Sequence, residues 1–169
     1  MANSSYNVLF LCTGNSARSI IAEKVLDKLG RGRFRGFSAG SRPVGTVHEL
    51  AIQTLRRNNF PTGGLRSKDW SEFTAPGAPA MDFVITVCDS AAAEECPLWP
   101  GRPVSAHWGI PDPAKAVGDE MSRRMAFRQT LCNLERRISL FVGLPIESND
   151  APSLQQRLDD IGMTSIHAT

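Results

Sequence analysis

The strongest constraint on this chain is near its start, where an apolar run, a turn and an amphipathic stretch follow one another within thirty residues. Asn7-Val8-Leu9-Phe10-Leu11 is a short apolar segment bounded by Gly14-Asn15, and Ile20, Ile21, Ala22, Val25, Leu26 and Leu29 then recur at helical spacing. That predicts strand, loop, helix. Gly30 and Gly32 stop the helix, and residues 34–39 read as a second strand ending at Gly40. A second helix is predicted from about Thr46-Val47-His48 to Asn58-Asn59, followed by a short element around Asp69-Trp70 and Phe73. Phe83-Val84-Ile85-Thr86-Val87 repeats the first pattern, a continuous apolar run suited to a parallel strand covered on both faces.

A last long helix is predicted from Glu120 to about Val142, with Met121, Met125, Phe127, Leu131, Leu134, Ile138 and Phe141 as its buried stripe and Pro145 after its end. Alternating strands and helices predict an α/β fold: one three-layer domain with a central parallel sheet of about four strands flanked by helices. With 41% hydrophobic residues among 169, the chain has enough apolar material for a single core. The core domain is expected over residues 1–146. Residues 147–169 read as an extension carrying a short amphipathic helix with a stop at Gly162, placed either on the sheet or against a second subunit.

Charge excludes several classes of function. The chain has 19 Lys and Arg against 17 Asp and Glu, scattered rather than gathered in a run, so nucleic acid is a poor partner. The N-terminus has no basic leader, and its apolar run is far shorter than the roughly 20 residues a membrane span requires. A cytoplasmic protein without membrane contact is expected. Four cysteines (Cys12, Cys88, Cys96 and Cys132) in such a chain point to reduced or chemically used thiols rather than a disulfide framework. No spacing of His, Cys and carboxylates suggests a metal site.

Ligands of parallel α/β sheets bind beyond the carboxyl ends of the strands, where Cys12-Thr13-Gly14-Asn15-Ser16-Ala17-Arg18-Ser19 falls. A loop feeding a helix N-terminus aims backbone N–H groups at one point, so Thr13, Gly14, Asn15, Ser16, Ala17 and Arg18 are the candidate oxyanion cradle. The same field is expected to depress the pKa of Cys12 and make it a nucleophile, with Arg18 reinforcing the effect and gripping two oxygens of a tetrahedral anion. Gly14 would supply close approach or positive φ, Asn15 would lock the loop, and the Ser19 hydroxyl would donate to the Cys12 sulfur. A cysteine at a strand end is more often packing, and a cysteine six residues before an arginine is a weak signal alone. The flanking strand and helix raise it.

The run from Leu11 to Ser19 resembles the signature of low-molecular-weight protein tyrosine phosphatases and of the arsenate reductases that share their fold. The resemblance continues through Ala22-Glu23, Phe37-Ser38-Ala39-Gly40 and the strand at residues 84–87, and ends around Pro145. It implies that Asp112, in Asp112-Pro113, is the general acid; without it the proline-flanked aspartate reads as a plain turn. Cys88-Asp89, Cys96-Pro97 and His107-Trp108-Gly109 are similar to the thioredoxin-coupled reductases, which implies that Cys88 attacks the Cys12–arsenic adduct and Cys96 resolves the resulting disulfide. The Cys88–Cys96 spacing is one residue longer than that subfamily's. The residue-level alternative is inert packing, to which Cys132, between Leu131 and Leu134, is assigned as core.

Other departures separate the branches. Ala114-Lys115 stand where eukaryotic phosphatases have tyrosines, and Ala17 stands where many phosphatases have a second loop cysteine. The resemblance therefore implies arsenate reduction, with arsenate or phosphate as oxyanion, no tightly bound cofactor, and an external thiol reductant of the thioredoxin or glutathione/glutaredoxin kind. Hydrolysis of phosphomonoesters is the alternative, and an oxyanion or oxidant sensor without turnover is the reading outside enzymes. Asn15, Glu23 and Ser38 match positions that bind potassium in some of the reductases, though a structural role is favoured for them. His48 and His107 are assigned to helix-start and loop duty, and Trp70, Trp99 and Trp108 to the rim or partial core. A monomer or weak homodimer is expected.

Overall fold

In the computed structural model, which describes residues 5–94 and 96–164, the apolar runs form four parallel strands: β1 (Tyr6–Cys12), β2 (Phe34–Gly40), β3 (Phe83–Thr86) and β4 (Val104–His107). They lie in the order β2-β1-β3-β4. The register sets Cys12 opposite Gly40, Leu11 opposite Thr86, and Thr86 opposite His107. Helices α1 (Arg18–Leu29), α2 (Glu49–Arg57) and α3 (Asp89–Ala93) connect the strands, and α4 (Glu120–Val142) and α5 (Ala151–Gly162) follow β4. The expected α/β fold with a four-stranded parallel sheet flanked by helices is therefore what the chain adopts.

Period-2 alternation along β1 divides the core. Val8, Phe10 and Cys12 face a large cluster built with Ile21, Ala22, Val25 and Leu26 of α1 and Phe127, Leu131, Leu134, Ile138 and Phe141 of α4. Leu9 and Leu11 face a smaller cluster with Ala39, Phe73, Met81 and Val84, covered by a 3₁₀ turn at Trp70–Phe73. Both faces of β1 are thus dry, as its uninterrupted apolar run requires.

The tail is fastened by polar groups as well as by Leu154, Leu158 and Ile161. Trp108 is fully buried rather than at the rim, and its indole N–H donates to the Leu158 carbonyl (3.0 Å). The guanidinium of buried Arg137 donates to the carbonyls of Gly109, Gly162 and Thr164. These bonds tie α4, α5 and the segment after β4 together.

Three expectations for α4 are corrected. Met121 and Met125 are 63% exposed, because the first turns overhang the end of α2 and line an open groove with Arg57, Arg124 and Arg128. Cys132 is exposed and outside the core. One residue is about 100° of helix rotation, and the step from Leu131 carries the thiol off the buried face while Leu134 returns to it. Sequence reading also assigned no residues to β4, which has a single buried residue, Ala106.

Candidate active site

The chain leaves β1 toward β2 on one side and reaches β3 on the other, so a crevice opens at the carboxyl ends of β1 and β3. Cys12 ends β1, and Cys88 follows β3 by two residues. Both are buried, and both carry free thiols. The topology brings them to one crevice from opposite halves of the sequence.

The loop between β1 and α1 is pinned through its carbonyls. Thr13 C=O accepts from Arg42 N (3.0 Å), Gly14 C=O from Val44 N (3.0 Å) and the Ser67 hydroxyl (3.2 Å), and Ser16 C=O from His48 N (2.9 Å). In a trans peptide the N–H of the next residue points opposite to the carbonyl, and there is no cis peptide bond among the described residues. Carbonyls drawn outward therefore turn the N–H groups of Gly14, Asn15 and Ala17 inward. Helix α1 has Ala17 at its N-cap with no side-chain capping bond, and no acidic residue in its first turn. The loop and the helix start together form a cradle for an anion.

The loop's strain falls on Asn15, at φ 46°, rather than on Gly14. Asn15 is fully buried and holds this conformation through both ends of its amide. Its Oδ1 accepts from Lys68 N (2.8 Å) and its Nδ2 donates to Ser19 Oγ (2.8 Å). Ser19 Oγ also lies 2.8 Å from the Cys12 sulfur, where its O–H can donate to the thiolate form. Gly40, beneath the loop, is required by close approach: a Cβ there would come within 2.4 Å of Thr13 O and 2.9 Å of Cys12 O.

Arg18 reaches out of the loop. Its Nη1 donates to Ile110 O (3.0 Å), and its Nη2 lies 3.6 Å from Asp112 Oδ2. Asp112 itself caps a 3₁₀ turn at Pro113–Lys115, its Oδ1 accepting from Ala114 N (3.0 Å). The turn role and the proximity to the loop are thus the work of the two different oxygens of one carboxylate.

Cys88 is the N-cap of α3, its sulfur accepting from Ala91 N (3.3 Å) and lying 3.7 Å from Thr13 Oγ1. The Thr13 hydroxyl donates to Glu94 Oε1 (3.1 Å), so one loop side chain touches both ends of the α3 segment. Cys96 is exposed. Burial, then the Glu94 charge, pushes its thiol pKa up. No contact among the described residues joins Cys96 to Cys12 or Cys88.

For Cys12 the balance differs from the sequence expectation. The side chain is 3% exposed, and burial, the largest influence, pushes its thiol up. The Ser19 hydroxyl and backbone N–H pull it down, as does Arg18, whose guanidinium is engaged with Ile110 and Asp112. Nearby Cys88 pushes it up. Thiolate at Cys12 therefore depends on the donors around it.

Two contacts were not read from the sequence. Lys68 closes the back of the loop, through Asn15 and through Glu23 and Ser38. His107 bonds Asp89 at 2.8 Å and Thr86 at 2.7 Å, linking β4 to the start of α3. His48 caps α2 as expected, its Nδ1 accepting from Leu50 N (3.1 Å). Among the described residues no group of three or more His, Cys, Asp or Glu is placed to hold a metal ion, and no helix is long and apolar enough to cross a membrane.

Comparison with known proteins agrees with this geometry. The arsenate reductase of Oceanobacillus iheyensis is 34% identical over 134 residues, covering 79% of this chain and 93% of its own. Among solved structures, an arsenate reductase in the phosphate-binding state matches with TM-score 0.66 at 25% identity, over 81% of this chain and 96% of its own. A tyrosine phosphatase of Escherichia coli in complex with sulphate matches with TM-score 0.63 at 25% identity, over 82% and 97%. Residues 7–149 match the family of low molecular weight phosphotyrosine protein phosphatases. The chain belongs to that family, on the branch its arsenate reductase relatives occupy.

Proposed function

We propose that this protein reduces arsenate to arsenite with Cys12 as nucleophile and Cys88 as the second thiol. The supporting observation is the placement of Cys88 at the mouth of the Cys12 loop, 3.7 Å from the Thr13 hydroxyl. The inward N–H groups and Arg18 hold the oxyanion. Cys12 thiolate attacks arsenic(V) and displaces one oxygen as water, with Asp112 supplying a proton. Cys88 thiolate then attacks the Cys12 sulfur; the Cys12–Cys88 disulfide forms, the S–As bond breaks, and its electron pair leaves with arsenic as arsenite.

Cys96 attacks Cys88 next, transferring the disulfide to Cys88–Cys96 and freeing Cys12. Exposed Cys96 presents that disulfide at the surface, where an external dithiol of the thioredoxin type, or glutathione with glutaredoxin, takes it up. Such donors belong to the reducing cytoplasm. The transfer requires α3, which separates the two thiols, to unwind; five residues between two loops form a helix too short to be stable alone.

Hydrolysis of phosphomonoesters is the second reading, favoured by Arg18 and Asp112, which serve a phosphate ester as well as arsenate. Arsenite release and phenyl phosphate hydrolysis, measured side by side, separate the two. Cys12→Ser abolishes both, whereas Cys88→Ser abolishes arsenite release with either donor and spares most hydrolysis. Equal loss in both assays for Cys88→Ser would remove the relay and leave the phosphatase.

A further inference from the structure

Directly behind the Cys12 loop, α1 and β2 bury a carboxylate. Glu23 and Ser38 are both inside the fold, and the Ser38 hydroxyl donates to Glu23 Oε1 at 2.6 Å. A buried carboxylate with one neutral donor needs a compensating charge. Lys24 stands 3.6 Å from the outer oxygen, Oε2. The inner oxygen faces Lys68, whose side chain is only 9% exposed and whose Nζ lies 3.7 Å away.

The acceptors around Nζ suit an ammonium. Ser38 has committed its proton to Glu23, so its oxygen accepts from Nζ (3.3 Å), and the Arg66 carbonyl accepts at 3.1 Å. The ammonium thus donates to a hydroxyl oxygen and a carbonyl and pairs with a carboxylate. The main chain of the same residue grips the loop. Lys68 N–H donates to Asn15 Oδ1 and Lys68 C=O accepts from Gly40 N–H at 2.9 Å. Asn15 then orients Ser19, and Ser19 faces the Cys12 sulfur.

Asn15, Glu23 and Ser38 are the positions that the family resemblance associates with potassium. The residues present do not fit a free cation, because a fixed positive group already pairs with the inner oxygen of Glu23 and donates to the Ser38 oxygen. A second cation there would meet the first at contact distance. Burial lowers the Lys68 pKa and the Glu23 carboxylate raises it, the balance expected of a desolvated but paired ammonium.

We infer that Lys68 is a positioning residue, a tethered cation that holds the back of the Cys12 loop and lets the site work without a monovalent metal ion. The inference rests on Cys12 being the reactive thiol and on no particular reaction. Its test therefore uses neither arsenic nor phosphate. Iodoacetamide alkylation of Cys12, followed by mass spectrometry, and thermal unfolding are compared in potassium chloride and in tetramethylammonium chloride at equal ionic strength.

The wild-type protein gives the same alkylation rate and melting midpoint in both salts. Lys68→Met alkylates several-fold more slowly in tetramethylammonium and recovers as potassium is added, its midpoint rising with it as for any ligand of the folded state. Should Lys68→Met fail to fold, Lys68→Met/Glu23→Gln removes both charges together and is expected to fold and to alkylate slowly. A wild-type protein that responds saturably to potassium overturns the inference. So does a Lys68→Met variant that alkylates at the wild-type rate or that potassium does not recover.

Discussion

The Ser19 hydroxyl lies 2.8 Å from the Cys12 sulfur, and its direction is set from the other side by Asn15, whose amide nitrogen is 2.8 Å from the same oxygen. This is a chain of polar contacts ending at the sulfur proposed as nucleophile. Because burial, and with it the neighbouring Cys88, pushes the Cys12 thiol up, the hydroxyl is one of the few groups that favour the charged form. Ser19→Ala deletes a bond to a charged acceptor worth about 1.5–3 kcal/mol, or about one to two pKa units. Alkylation of Cys12 at neutral pH should slow by about tenfold or more, with its pH midpoint moving upward. An unchanged pH profile would mean that the thiolate is held by the backbone and Arg18 alone.

Asp112 offers a different experiment, since its oxygens have separate tasks. Asp112→Asn retains an acceptor for the Ala114 N–H, so the turn at Pro113–Lys115 stays while the transferable proton is lost. Hydrolysis of phenyl phosphate, whose leaving group needs that proton, should fall by about 100-fold or more. The loss for p-nitrophenyl phosphate, which departs without much help, should be far smaller. Equal losses for the two esters would assign Asp112 to holding Arg18 rather than to proton transfer.

Local features were legible in the sequence because each is written in neighbouring residues. The β1 run, the loop from Cys12 and the face of α1 form one contiguous stretch, so the candidate nucleophile and its candidate cradle could be named together. The span of α4 was equally plain, from Glu120 to Val142 with Pro145 beyond its end. Its faces were harder, because adjacent Leu131 and Cys132 differ by a rotation that composition does not show. β4 escaped notice since Val104-Ser105-Ala106-His107 lies at the sheet edge with one buried side chain, giving no apolar run. Lys68 had no sequence signal at all: it is a lone lysine in a connecting segment, and its role exists only once that segment crosses behind the loop. Gly14 was expected to supply close approach or positive φ, and the positive φ of the loop falls instead on Asn15, where the amide's two bonds hold it.

His48 makes stability depend on pH in a direction that can be worked out. Its Nδ1 caps α2 by accepting from Leu50 N–H, which requires that nitrogen to be unprotonated, and its ring packs on Phe127 with centroids 4.7 Å apart. Burial, then the Arg123 charge, lowers its pKa below the ordinary 6.5, with Asp112 and Glu49 pulling the other way. Between the folded and unfolded values the unfolded chain binds more protons, so stability rises with pH across that window and falls as pH drops through it. His48→Asn keeps an N-cap acceptor and removes the titration. Urea unfolding midpoints of the two proteins, followed from about pH 7.5 down to about pH 5, should show the wild type losing ground to the variant below about 6.5, after the carboxylates common to both cancel in the difference. A difference that stays flat across this range would show that the folded protein accommodates the imidazolium, and that the Leu50 N–H finds its acceptor elsewhere.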